Sequence, residues 1–177
     1  MRTLLYHAMG AAVLDAATYE AVEHERPAAA HAAAIVVLAG LAAGIGATGL
    51  IDLSGWGILA IAAATIAAWL AWASLILYVG GQAMKERQTR TTYSELLRTI
   101  GFAASPGILQ ALAIISPIAV PVFIITWLWM LAAMVVAVRQ ALDFKTTGHA
   151  VTVCVATLAV VLATWMALLL AFERTVA

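Results

Sequence analysis

The sequence predicts an all-α integral membrane protein, a five-transmembrane-helix bundle with an N-terminal interfacial helix. Three observations predict it. The 177 residues are 65% hydrophobic and only 10% charged, whereas soluble domains carry about 25% charged residues. Five apolar runs lie at about 28–50, 56–79, 96–116, 118–138 and 149–172, each near the about 20 residues that cross the hydrocarbon of a bilayer. The charges fall between those runs or at their ends, and none lies mid-span. No polar stretch is long enough to build a second core, so residues 1–26 read as a cytoplasmic or interfacial segment and 27–177 as one membrane domain.

Residues 1–26 do not contain a span. The apolar piece from Thr3 to Leu14 is too short. It could serve as the core of a signal peptide behind Arg2, but His7, Gly10 and the acidic segment that follows argue against that reading. Asp15 can cap a short helix reaching Glu25, with Tyr19 and Val22 on one side and Glu20, Glu23 and His24 on another. That pattern suits a helix lying in the interface, although its acidic face is the wrong sign for anionic lipid.

Pro27 opens the first span, which carries Gly40 and Gly44 as a GxxxG pair. Small residues at this spacing let two helix backbones approach closely, either inside one bundle or across a dimer seam. Residues 51–55 form a short turn, Trp56 sits where belt tryptophans sit, and Gly80-Gly81 is expected to end the second span. The loop Gln82–Thr91 holds Lys85, Glu86, Arg87 and Arg90 and is the most hydrophilic part of the chain, either topogenic or a docking site.

Thr92 and Glu95 then form a T-x-x-E capping box, so a helix starts near Tyr93 and runs directly into the third span. Gly101, Pro106 and Gly107 mark a break inside it, because the proline ring removes a backbone donor and bends the axis. Such a break survives in lipid only where neighbouring helices cover the freed carbonyl. Ser116-Pro117 separates the third span from the fourth, and Pro121 falls in the first turn of the fourth helix, where a missing amide costs least.

Lys and Arg fix the orientation. Arg2, Arg26, Lys85, Arg87, Arg90, Arg98, Arg139 and Lys145 fall on one side of a five-span chain, and Arg174 alone falls on the other. The positive-inside rule therefore puts the N-terminus in the cytoplasm and the C-terminus outside.

Gly101-Phe102-Ala103, Pro106-Gly107 and the run Ala137-Val138-Arg139-Gln140-Ala141-Leu142-Asp143-Phe144 together resemble the signature of the Yip-domain membrane proteins. Leu14-Asp15-Ala16-Ala17-Thr18-Tyr19-Glu20 resembles the segment before the first span in bacterial members. The resemblance covers nearly the whole chain. It implies five membrane helices, a bacterial cytoplasmic membrane location and, for eukaryotic relatives, a role in vesicle traffic beside prenylated small GTPases. The long hydrophilic N-terminal region of those relatives is missing from this sequence, which argues against GTPase binding.

Little chemistry is visible. His7, His24, His31 and His149 lack metal-ligand spacing, Cys154 is the single cysteine, and no nucleophile, base and orienter fall together. No catalytic group, cofactor or metal is expected, and zero net charge gives no reason to expect nucleic acid. The expected partners are membrane lipids and other membrane proteins or a second copy. No span carries a mid-membrane ionisable residue, which counts against an ion-coupled transporter. What remains is an inside-facing polar rim of Tyr93, Glu95, Arg98, Arg139, Gln140 and Asp143. Arg139 and Asp143, spaced i, i+4, would share a helix face and pair, either steadying a snorkelling arginine or lining a pocket for a lipid headgroup or partner segment. Trp127 and Trp129 lie deeper than belt positions and read as packing residues. The expected role is non-enzymatic organisation or traffic of membrane components. A small permease or lipid-handling protein using the proline-broken hairpin is the alternative.

Overall fold

A computed structural model of the chain describes residues 2–25, 27–83 and 91–176. Every described element is helical: α1 (Arg2–Ala12), α2 (Ala16–His24), α3 (Ala28–Ala47), α4 (Gly55–Ala83), α5 (Tyr93–Phe102), a 3-10 segment (Ser105–Ile114), a 3-10 turn (Ser116–Ile118), α6 (Ala119–Ala141) and α7 (Thr147–Val176). Four stretches are long and apolar enough to cross a membrane, namely Ala28–Ala47, Gly55–Gly80, Ser116–Ala141 and Thr147–Thr164. The bent pair formed by α5 and the 3-10 segment brings the number to five if it crosses as one unit. The hydrophilic loop with Lys85, Glu86, Arg87 and Arg90 lies outside the described residues, as does Arg26.

Two local signals start two helices. Asp15 accepts from the Ala17 and Thr18 amides at the N-terminus of α2. At the start of α5, the Thr92 hydroxyl accepts from the Glu95 amide at 3.3 Å while the Glu95 carboxylate accepts from the Thr92 amide at 2.7 Å. α4 departs from the expected boundary: Gly80-Gly81 does not end it, and the helix continues to Ala83. Gly80 instead faces Leu142 and Val153, and a side chain there would press on Leu142.

The third apolar run is two pieces joined at 41°. The α-helix stops at Phe102, and a turn at Ala103 and Ala104 leads to Pro106, which has no amide to continue the α pattern. The chain continues as ten residues of 3-10 helix, long for that conformation.

Glycines show how this piece packs. Gly101 faces Ala32, and Gly107 faces Ala39. A Cβ on Gly46 would overlap the Gln110 carbonyl, and one on Gly49 would overlap that of Ala113. Both partners' numbers rise together, so α3 and the bent pair run side by side in the same direction. Between the outer contacts one strand of the pairing advances from Ala32 to Gly49 and the other only from Gly101 to Ala113. At about 1.5 Å per residue up to Ser105 and about 2.0 Å per 3-10 residue after it, these are about 26 Å and about 22 Å. The steeper rise of the 3-10 segment narrows the difference between the two.

Gly40 and Gly44 face α4, which runs antiparallel to α3: Gly40 meets Ala62 and Thr65, and Gly44 meets Ile58. The GxxxG pair thus packs within the chain. The buried apolar core gathers Ile35, Ile76, Leu96, Ile100, Phe102, Val138 and Val153 from α3 to α7, and Tyr19 and Val22 of α2 join it.

Candidate functional site

The polar residues converge where α5 begins and α6 ends, two points tied together by the Thr91 hydroxyl donating to the Ala141 carbonyl. Across this rim lies α2. Its C-terminal carbonyls have no partner within the helix. Arg98, buried at 6% exposure, supplies one: Nε donates to the carbonyls of Val22 (3.2 Å) and Glu23 (3.1 Å), and Nη2 donates to that of Glu23. Gln140 Nε2 donates to the Ala16 carbonyl at 3.3 Å. The preceding helix is held likewise. Tyr19 donates its hydroxyl to the Ala11 carbonyl at 3.0 Å, and the Trp129 indole nitrogen donates to the Ala12 carbonyl at 2.6 Å. Side chains from α5 and α6 thus fasten the helical hairpin α1–α2 at sequence separations of 75 to 124 residues.

Arg139 and Asp143 do not form the expected helical pair. α6 ends at Ala141, and the chain turns in a Schellman motif: the Phe144 amide donates to the Arg139 carbonyl at 2.9 Å, and the Asp143 amide to that of Gln140 at 3.0 Å. Asp143 sits at φ 49, a left-handed conformation that aspartate tolerates better than most residues. It is exposed, and no ion pair joins it to Arg139 among the described residues. An i, i+4 pair would need helix through residue 143, and the helix has already ended. Arg139 is half-buried, and its Nε has no hydrogen-bond partner among the described residues.

The other predicted residues separate. Tyr93 turns away to α4, donating to the Leu70 carbonyl at 2.9 Å. Glu95 is committed to its cap, and the Thr92 amide hydrogen bond holds its carboxyl below the usual range. Trp127 is 60% exposed on the outside of α6 and is not a packing residue. It borders a shallow apolar depression with Phe123, Ile124 and Leu128. Trp129 is a hydrogen-bond donor to the hairpin, a role legible only in the general need of an indole N–H for an acceptor.

Glu23 also belongs to this rim, although in the sequence it is only one of several acids on a helix face. Burial pushes its carboxyl up to about 7, Asp143 and Glu95 push in the same direction, and His24 and Arg98 oppose them. Arg98 opposes the shift only in part, since its hydrogen bonds here run to backbone carbonyls and not to the Glu23 carboxylate. Among the described residues no group of three or more His, Cys, Asp or Glu could hold a metal ion. The chemistry available is proton uptake at one carboxyl and the tertiary capping of helix ends.

A chain whose described elements are all helical, several of them long and apolar, is an integral membrane protein of the polytopic helical class. The family model described as the Yip1 domain matches residues 13–168, and the chain belongs to that family. No curated protein matches the chain, and no solved structure matches it.

Proposed function

We propose that the protein is a non-enzymatic organiser of membrane components in a bacterial cytoplasmic membrane, acting through helix and lipid contacts. It crosses the bilayer five times, N-terminus in and C-terminus out. The observation that carries the role is the use made of its polar groups. Arg98, Gln140, Tyr93 and Trp129 each donate to a backbone carbonyl of another helix. They join helices together. The crossing number is supported by the parallel advance of α3 and the bent pair, side by side from Ala32 and Gly101 to Gly49 and Ala113. The orientation is supported by eight Lys and Arg against one.

Affinity purification from native membranes, with mass spectrometry of proteins and lipids, tests this reading. A stable membrane-protein partner or second copy is the expected result. Solute or lipid flux catalysed by the purified protein in proteoliposomes, with no partner retained, would replace the organising role with a permease.

A further inference from the structure

We propose that α1 is embedded in the hydrocarbon of the cytoplasmic leaflet, beneath α2, with Leu5, Tyr6, Met9 and Val13 in contact with lipid acyl chains. The inference rests on the crossing topology proposed above for the name of the leaflet, and on side-chain contacts for the depth.

Two contacts measure that depth from the rim. Trp129, whose indole holds the Ala12 carbonyl, lies twelve residues before the end of α6, about 18 Å along its axis. The stretch Ser116–Ala141 has 26 residues and is about 39 Å long, so it overhangs a hydrocarbon core of about 30 Å by a few ångströms at each end. Trp129 therefore lies well inside the hydrocarbon. Even an indole extended fully toward the rim leaves Ala12 below the helix end. The second contact is independent. His7 packs edge-on against Phe102 at 5.9 Å between ring centroids, and Phe102 lies nine residues into α5, about 14 Å from its start. Both α1 contacts are thus deep, whereas α2 touches Gln140 and Arg98 nearer the rim.

The side-chain pattern of α1 fits this placement. Its inner face is closed, with His7 4% and Ala11 0% exposed. Its outer face is apolar and open, with Leu5 56%, Tyr6 71% and Met9 70% exposed, and Val13 just past its end is 72% exposed. Facing water, four such neighbours would form an uncovered apolar patch. Beside lipid they are no different from the apolar residues open on α6, such as Ile124, Ile125 and Leu128. Arg2 is exposed at the first turn of α1, where its side chain can reach toward the headgroups. At 11 residues α1 is too short to cross, so it occupies one leaflet only.

The test uses the full chain with Cys154→Ala, spin-labelled singly at Met9→Cys, Val13→Cys or Glu20→Cys and reconstituted into phosphatidylcholine vesicles. Collisions with molecular oxygen and with a water-soluble nickel chelate are measured. The oxygen-to-nickel ratio should be several-fold higher at positions 9 and 13 than at position 20. A ratio at both 9 and 13 equal to that at 20 overturns the proposal. Leu5→Cys serves where a label at Met9 disturbs folding. If the topology were wrong instead, the contrast in depth would persist while a membrane-impermeant thiol reagent reached Glu20→Cys from the other side.

Discussion

Arg98 donates to the backbone carbonyl of Glu23, not to its carboxylate. A cation that the sequence alone would assign to lipid or to an acidic partner instead closes the end of a helix lying 75 positions earlier in the chain. The carboxylate beside it keeps its charge poorly compensated. One contact therefore both fastens the N-terminal hairpin and leaves a proton-sensitive group at the fastening point.

Replacing Arg98 by Leu should loosen α2. The variant keeps the side-chain bulk but leaves the Val22 and Glu23 carbonyls without their donor. Hydrogen bonds involving a charged group contribute about 1.5–3 kcal/mol, and a loss of that order is expected in denaturation of the purified protein. Arg98→Lys should recover part of it, because an ammonium restores the charge but not the planar fork. Equal stability of wild type and Arg98→Leu would show that the cap carries no weight.

Asp143 separates the Schellman geometry from the ion pair it replaces. A buried pair broken at one partner would cost about 3–5 kcal/mol. A residue in the left-handed region past a helix end behaves differently. Asp143→Asn should be nearly neutral, Asp143→Gly neutral or stabilising by up to about 1 kcal/mol, and Asp143→Val destabilising. Melting of the three variants in detergent decides the matter. A large loss in Asp143→Asn would restore the pair.

The hold on the hairpin should weaken as pH rises. The Glu23 carboxyl is raised from 4.5 to about 7 in the folded protein, first by burial and then by Asp143, so the docked hairpin binds this proton more tightly than the undocked one. Its contribution is complete below about pH 4.5, declines as pH rises toward 7 and is level above that. His24 is raised too, chiefly by its contact with the Glu20 carbonyl, and acts in the same sense over a neighbouring range. Melting curves across pH 4–8 for wild type, Glu23→Gln and His24→Gln separate the two. The slope should largely vanish in Glu23→Gln and persist in His24→Gln.

What the sequence made legible were features carried by neighbours in the chain. Thr92 with Glu95, and Asp15 ahead of Ala17 and Thr18, announce helix starts because the donors and acceptors lie within three residues. Pro106 announces a break for the same local reason. The end of α6 was not legible, because Leu142 and Asp143 carry no glycine signal and the apolar period runs smoothly into them. Nor was the 3-10 character of Ser105–Ile114, which fits the register against Gly46 and Gly49 on a distant helix. The hairpin's caps were illegible for a plainer reason. An orphan carbonyl at Ala12 or Glu23 calls for a donor, but the sequence does not say that Trp129 and Arg98 are the ones nearby.

The crossing number has the sharpest consequence for the whole molecule. If the bent pair entered and left by one face, α6 would run the other way, and Arg139 and Lys145 would lie on the side opposite Arg98. The contacts argue otherwise. The pair starts beside Ala32, near the beginning of α3, and by Ala113 it has reached Gly49, past the end of α3. α6 then returns to place Ala141 against Thr91. A reporter active only outside the cytoplasm should therefore work when fused after Ala177 and fail after Gln88. Fused after Ile115, at the turn between the 3-10 segment and α6, it should work again. Inactivity after both Ile115 and Ala177 would leave the third run uncrossed, with Arg139 and Lys145 on the outer side. Activity after Gln88 would invert the whole arrangement, and α1 would then lie in the opposite leaflet.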